Sequence, residues 1–215
     1  LVVTAHATDA AIRRAFDAGI FDYVEKTPVL RTLLLARLRH ALDLARERRL
    51  ASLAASEIEA AIESTWAAAK TETDRNRKGA LLEEALADLL RTIPGFEQVD
   101  RNRENEVEEI DILVRNASSD EFWRKNGAYI LLECKNWSRP VGARELREFV
   151  TKIERRHGLC SLGFFVAVNG VTEPFEQELS MAGAKKGLVV LLHAADVHAL
   201  VAANGNRSEL LERLC

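Results

Sequence analysis

Cysteine is scarce in this sequence and long apolar runs are absent, and each of these features argues against a class of protein. The 215 residues include three cysteines, Cys134, Cys160 and Cys215, which form no C-x-x-C pair. Because there is also no histidine cluster at ligand spacing, the pattern argues against structural zinc and favours a reducing compartment. We therefore expect a cytoplasmic protein. No run of about 18 apolar residues occurs, so the sequence predicts no membrane-spanning helix.

A strong charge of one sign is also missing. The chain has 30 Lys and Arg against 33 Asp and Glu, a formal net charge of −3. Any surface for nucleic acid must therefore be local. With 47% hydrophobic and 29% charged residues, the composition is that of a globular protein. The chain starts at Leu1 with neither Met nor a signal peptide, so we expect it to be part of a longer protein.

Glycine and proline are absent from Val29 to Thr73, which predicts one long helix, residues 29–73. Leu35, Leu38 and Leu42 follow a three–four rhythm that later shifts to another face, as in a coiled coil with a stutter. A single helix of roughly 65 Å would leave an apolar stripe in water, so we expect a homodimer through this helix. The alternative is that its second half packs against the domain that follows.

The segment before this helix, residues 1–28, reads as strand, capped helix and strand. Together with the start of the long helix, to about residue 50, it resembles the C-terminal part of a response-regulator receiver domain. Thr4 matches the family's switch hydroxyl, Tyr23 its switch aromatic, and Lys26 the lysine that contacts the phosphoryl group, although Thr27 separates Lys26 from Pro28. The phospho-accepting Asp of that family lies on an earlier strand that this sequence does not contain, so we expect no receiver-type phosphorylation here.

The stretch Tyr129–Trp137 carries the main chemical signal. Its apolar run predicts a buried strand that ends in Glu133, Cys134 and Lys135. Since side chains alternate along a strand, Glu133 and Lys135 share one face and Cys134 points to the other. An acid and a lysine at the end of an apolar strand are costly unless they serve a function. A function that would explain this placement is metal binding, in which Glu133 holds the ion and Lys135 holds a water.

A second apolar strand, Glu109–Val114, carries Asp111 between two isoleucines. Asp111, Glu133 and Lys135 together form D…E-x-K, with 21 residues between the two acids. This pattern resembles the PD-(D/E)XK nuclease superfamily, most closely its Mrr-like restriction endonuclease branch, over roughly residues 77–202. The predicted helix 78–91 has Glu83 four places after a glycine, as in that branch. Ile110 stands where the nominal motif has proline.

The resemblance implies a metal-dependent endonuclease that hydrolyses DNA. It assigns catalytic roles to Asp111, Glu133, Lys135 and Glu83. The metal would be Mg²⁺, for which Mn²⁺ can substitute, held by Asp111, Glu133, the Cys134 backbone carbonyl and Glu83. Lys135 would orient the attacking water and contact the scissile phosphate. The alternative interpretation of Glu133 and Lys135 is a salt bridge at a strand end that needs no metal.

A local excess of basic residues follows this motif. Between residues 135 and 156 there are seven Lys or Arg against three Glu, in an otherwise acidic chain. Phosphate contacts supply most sequence-independent affinity for nucleic acid. The residues that we expect to contact it are Lys135, Asn136, Arg139, Arg144 and Arg147. A solvated helix face of mixed charge is the alternative.

The remaining pattern predicts the fold of residues 74–215. After the helix 78–91 come strands near 96–99, 109–114 and 130–132, with a polar loop at 116–126. A helix 143–156, a strand 162–168, a helix 173–183, a strand 187–192 and a last helix 194–203 follow. This α-β-β-β-α-β-α-β-α order matches the restriction-endonuclease core, an α/β fold with a central mixed sheet flanked by helices.

Two other functions stay open at this stage. One is a module of the same fold that binds DNA without cutting it, and the other is a signalling or interaction protein built on the long helix. An RNA-cutting relative would carry the same three residues, so the sequence does not separate DNA from RNA as the substrate.

Overall fold

A computed structural model describes residues 2–4, 8, 10, 13–14, 17, 23–25, 41, 54–104, 109–182 and 188–215. The chain forms two compact units, Leu1–Glu57 and Ile58–Cys215. In the first, strand β1 (Val2–Thr4) pairs in parallel with strand β2 (Tyr23–Glu25), and these strands contain Thr4 and Tyr23. Lys26, and Leu35, Leu38 and Leu42 of the expected coiled coil, lie outside the described residues.

The second unit is built on a five-stranded mixed sheet in the order β3-β4-β5-β6-β7. The pairs β3/β4 and β4/β5 are antiparallel, whereas β5/β6 and β6/β7 are parallel. The expected mixed sheet is thus confirmed. The strands are β3 (Phe96–Glu104), β4 (Glu109–Asn116), β5 (Tyr129–Lys135), β6 (Cys160–Ala167) and β7 (Leu188–His193).

Helices cover both faces of this sheet. They are α1 (residues 54–71), α2 (Arg75–Arg91), α3 (Glu121–Lys125), α4 (Ala143–Glu154), α5 (Glu173–Ala182), α6 (Ala194–Ala202) and α7 (Arg207–Leu214). One core cluster joins α1, α2, α6 and α7 to the sheet, and a second joins α4 and α5 to its other face. The strands alternate between these cores because successive side chains point to opposite faces.

Helix α1 contributes to the core of the second unit. Ile62, Trp66 and Ala69 are almost fully buried in the cluster that contains the sheet. Glu59 pairs with the buried guanidinium of Arg207 at the start of α7. Residues 58–71 of the segment expected as a long helix therefore pack against the following domain, as in the alternative weighed from the sequence.

Helix α2 begins earlier than the sequence suggested. Asp74 caps it by accepting a hydrogen bond from the Arg77 backbone N–H at 2.8 Å. Arg75 and Lys78 therefore both lie in the first turn of the helix. This turn faces the loop that follows β5, because Asn136 in that loop donates to the Lys78 carbonyl oxygen.

Two helices were missed by the sequence analysis. The expected loop 116–126 contains α3, which Asp120 caps through the backbone N–H groups of Phe122 and Trp123. Trp123 is fully buried, and its indole N–H donates to Ser208 Oγ at 2.8 Å, so it anchors the segment. Helix α7 was also not predicted, because Arg207 occupies a buried position that would normally hold an apolar residue.

Helix α4 approaches the sheet closely over a glycine. A Cβ atom at Gly163 of β6 would come within 2.5 Å of Ile153 Cδ1 and 2.7 Å of the Phe149 ring. The absence of a side chain at Gly163 therefore lets the buried face of α4 settle on β6. This contact fixes the position of Lys152, which lies between Phe149 and Ile153 on α4.

Candidate active site

The site forms where strands β4 and β5 end their pairing. Their ladder starts at Ile112 opposite Leu132, one residue short of Asp111 and Glu133. Beyond this point the Asp111 side chain takes over: its Oδ2 accepts a hydrogen bond from the Cys134 backbone N–H at 2.7 Å. The sequence places Asp111 there because the two antiparallel strands bring the start of one beside the end of the other.

The side chains of Glu133 and Lys135 project from the same face at the end of β5. The Lys135 ammonium lies 2.6 Å from Glu133 Oε1 and 3.6 Å from Asp111 Oδ2. Asp111 and Glu133 are each 7% exposed. The structure thus brings together the three residues of the D…E-x-K pattern in one buried cluster.

A second lysine, which the sequence analysis did not single out for the site, completes the cluster. Lys152 of α4 places its ammonium 2.7 Å from Glu133 Oε2, so that both oxygens of this carboxylate are paired. The spacing contained a signal, because Lys152 lies three residues after the buried Phe149 and next to the buried Ile153. A lysine at that helical position faces the sheet.

Burial and the neighbouring charges shift the pKa values of Asp111 and Lys135. Burial raises the pKa of the Asp111 carboxyl and the Glu133 carboxylate raises it further, while Lys135 and the Cys134 N–H oppose this. Burial lowers the pKa of Lys135, but the carboxylates of Glu133 and Asp111 outweigh it and raise the value to about 12. Lys135 is therefore an ammonium at neutral pH, which donates hydrogen bonds and carries positive charge but does not accept a proton.

Burial distinguishes this cluster from a surface salt bridge. The side chains of Lys135, Lys152 and Glu133 are 17%, 16% and 9% exposed. Taking such charges out of water costs several kcal/mol per ion, about the size of what their pairing returns. A fold gains little stability from two carboxylates and two ammonium groups at a strand end, which favours a chemical role over a structural one.

The other proposed metal ligands occupy different positions. Glu83 lies half-buried on α2, and its negative charge is among the causes that raise the pKa of the Cys134 thiol well above its ordinary range. Helix α2, which carries Glu83, packs on the face of the sheet that contains Cys134. Within the described residues, no group of three or more His, Cys, Asp or Glu side chains is arranged to hold a metal ion.

Two carboxylates nevertheless fit a hard divalent cation. Mg²⁺ takes oxygen ligands, keeps several of its waters and needs only one or two protein carboxylates. Asp111 and Glu133 supply such oxygens at a buried strand end, and the lysines balance their charge. The donor set thus suits magnesium or manganese better than a soft metal such as zinc.

The expected nucleic-acid residues divide into two groups. In the first group, Lys135 belongs to the acidic cluster, Asn136 follows directly on β5, and Arg139 lies in the loop after it. Arg144 and Arg147 are exposed on α4, where Arg144 pairs with Glu148 at 2.8 Å and Arg147 with Glu178 of α5 at 3.0 Å. The charges of this second group are partly compensated by acids, and the structure does not bring them to the cluster.

The comparison with protein families agrees with this geometry. The model of the Mrr catalytic domain, described as a restriction endonuclease, matches residues 75–201. This match covers more than half of the chain, so the protein belongs to this restriction endonuclease family. The five-stranded mixed sheet with helices on both faces is the corresponding core, and the class of protein is a nuclease acting on DNA. A search of curated proteins found no match.

Membrane insertion by a helix finds no support in the described residues. None of the helices there is both long enough and apolar enough to cross a bilayer.

Proposed function

We propose that this protein is a metal-dependent endonuclease that hydrolyses phosphodiester bonds in DNA, of the restriction or defence type. The observation that carries the proposal is the buried contact of Lys135 with both Asp111 and Glu133, at 3.6 and 2.6 Å. Family membership supports the reaction class, and the cluster supplies the groups that the reaction needs.

Each residue has a distinct part in this proposal. Asp111 and Glu133 would hold the divalent cation, with the Cys134 carbonyl as a third ligand and Glu83 in an outer position. The cation, when bound, lowers the pKa of water and stabilises charge on the phosphate. Because Lys135 is cationic, it orients the attacking water and stabilises the negative charge that develops on the phosphate oxygens.

The direct test is cleavage of plasmid and short oligonucleotide substrates with Mg²⁺ or Mn²⁺. Wild type should cut, and Lys135→Ala should lose about 100-fold or more in rate while it still binds DNA. Lys125→Ala is the matched control, because Lys125 is an exposed lysine of α3 paired with Glu121. Undiminished cutting by Lys135→Ala would refute its role. No cutting of any DNA or RNA by wild type would favour a binding module that keeps the nuclease fold.

The homodimer and the resemblance of the N-terminal segment to part of a receiver domain stay proposals. We propose that the long helix joins two copies of the chain, with Leu35 and Leu42 in the contact. Light scattering should show the wild-type protein at twice the mass of a Leu35→Glu, Leu42→Glu variant. An unchanged dimer would place the interface elsewhere.

A further inference from the structure

A cleft of about 470 Å³ lies next to the acidic cluster. Its walls are the first turn of α2 with the two residues before Asp74, and the loop that follows β5. Arg75 and Lys78 contribute from α2, while Asn136, Trp137 and Arg139 contribute from the loop. The cleft therefore continues from the strand that carries Glu133 and Lys135.

Trp137 forms a flat wall of this cleft and is surrounded by cations. The Arg139 Cζ lies 5.5 Å from its ring centroid, the Arg75 Cζ 5.8 Å and the Lys135 Nζ 6.0 Å. Trp66 and Trp123 are 2% and 0% exposed, whereas Trp137 is half-buried. Of the three tryptophans in the chain, Trp137 is thus the one that can stack on a ligand.

The charge of the cleft suits a phosphate group. Arg75, Lys78 and Arg139 line it against a single acid, Glu72. This acid is engaged in its own turn, where it accepts hydrogen bonds from the backbone N–H groups of Thr73 at 2.7 Å and Asp74 at 3.0 Å. The net potential is positive beside the Lys135 ammonium, where a phosphodiester backbone would continue from the acidic cluster.

Asn136 adds a hydrogen-bond acceptor. Its side-chain nitrogen donates to the carbonyl oxygens of Ala69 at 3.0 Å and Lys78 at 3.2 Å, which fixes the orientation of the amide. Its oxygen, in a side chain that is 4% exposed, accepts no hydrogen bond in the described part of the protein. A buried acceptor without a donor is unfavourable, so a ligand with an N–H group is favoured there.

We propose that this cleft binds an unpaired nucleotide of the substrate strand next to the scissile phosphate. Arg75 and Arg139 contact its phosphate, the base stacks on Trp137, and a base N–H donates to Asn136 Oδ1. The proposal rests on the proposed function, since it assigns a place to the substrate strand. A base inside a duplex is stacked between its neighbours and offers no free face, so the enzyme should prefer sites with a single-stranded or frayed nucleotide.

The test is binding of a dye-labelled single-stranded oligothymidylate, measured by fluorescence anisotropy of the dye in EDTA. An abasic strand of the same length carries the same phosphates and separates base stacking from anion binding. Wild type should bind the oligothymidylate about tenfold or more tightly than the abasic strand, and its tryptophan fluorescence should be quenched on binding. Trp137→Ala should lose this difference and Trp137→Phe should keep it. Arg75→Ala and Arg139→Ala should weaken binding of both strands, whereas Arg124→Ala, at an exposed site on α3, should not.

Equal affinity of the wild type for the two strands would overturn the proposal. So would a preference for the base that persists in Trp137→Ala, or tighter binding of a blunt duplex than of the single strand. Since binding is measured without metal, it is independent of cleavage. Base-dependent binding in a protein that cuts nothing would refute the nuclease and leave the cleft standing. Cutting without base-dependent binding would do the reverse.

Discussion

Glu133 shares its carboxylate between two lysines, and this gives Lys152 a positioning role. Lys135 holds Oε1 and Lys152 holds Oε2, so the carboxylate is fixed from both sides. Groups that orient a ligand of a catalytic metal typically contribute 10–100-fold to affinity or activity. Removing the Lys152 ammonium should therefore loosen Glu133 without removing any residue of the D…E-x-K pattern.

We expect Lys152→Met to lower the cleavage rate by about 10–100-fold and to raise the Mg²⁺ concentration needed for half-maximal rate. Lys152→Arg, which keeps the charge, should recover part of the loss. Rates measured across a Mg²⁺ titration check this, with Lys125→Met as the exposed control. An unchanged metal requirement in Lys152→Met would limit Lys152 to packing.

The two buried cysteines, Cys134 and Cys160, give a second prediction at this scale. Burial raises the pKa of the Cys160 thiol to about 11 and raises that of the Cys134 thiol well above its ordinary range. A raised thiol pKa means that the unreactive protonated form dominates at pH 8, and thiolate appears only as the pH approaches the raised value. Alkylation of the Cys134 and Cys160 thiols at pH 8 should be slow in the native protein and fast in urea. Labelling of native Cys134 at the unfolded rate would contradict its burial.

The sequence allowed the prediction of Asp111, Glu133 and Lys135 because their signal is local. Each is a charged residue in or at the end of an apolar strand, and strand alternation alone places Glu133 and Lys135 on one face. Lys152 has only its helical spacing from Phe149 and Ile153 as a signal, and Arg75 has none. They reach the site because α4 and α2 pack where they do, and that packing depends on contacts between residues far apart in the chain.

At the scale of elements, the approach of α4 to β6 positions Lys152. Gly163→Ala would place a Cβ atom within 3.0 Å of Phe149 and Ile153 side-chain atoms. We expect it to lower the free energy of unfolding by about 1–3 kcal/mol through overpacking, as measured by urea denaturation. It should also lower the cleavage rate, since α4 carries Lys152.

Gly79→Ala is the matched control for this substitution. Gly79 lies in the first part of α2, and a Cβ atom there meets nothing within 4 Å. Alanine should therefore stabilise the protein by about 0.5–1 kcal/mol through helix propensity. If both alanine variants changed stability in the same direction, the steric account of Gly163 would be wrong.

The elements that the sequence analysis missed share a physical reason. Helix α3 spans five residues, fewer than two turns, so no apolar periodicity can appear in it. Helix α7 is anchored by Arg207, whose burial depends on Glu59 and the α6 carbonyl oxygens and cannot be recognised from residue type. Strands β4 to β7 and helices α4 to α6 lie close to their predicted positions because their apolar patterns extend over several repeats, whereas β3 continues to Glu104, beyond the predicted 96–99.

At the scale of the whole molecule, Arg207 ties α1, α2 and α6 to α7. Its guanidinium donates to Glu59 Oε1 and Thr92 Oγ1, each at 2.8 Å, and to the Leu200 carbonyl oxygen at 2.9 Å. Arg207→Met should lower the free energy of unfolding by about 3 kcal/mol, because it removes one partner of a buried pair. Arg213→Met, exposed on the same helix, should change it by less than about 0.5 kcal/mol in the same urea titration. Equal effects would contradict the role of Arg207.

The measurement that tests the central claim most directly is the initial rate of DNA cleavage as a function of Mg²⁺ concentration. Wild type should show no cutting in EDTA and a rate that saturates with Mg²⁺. Asp111→Asn should cut about 100-fold more slowly at every concentration, whereas Glu121→Gln, an exposed acid on α3, should match wild type. Cutting that persists in EDTA, or an Asp111→Asn curve that overlays that of the wild type, would contradict the assignment of this cluster as a metal-dependent nuclease site.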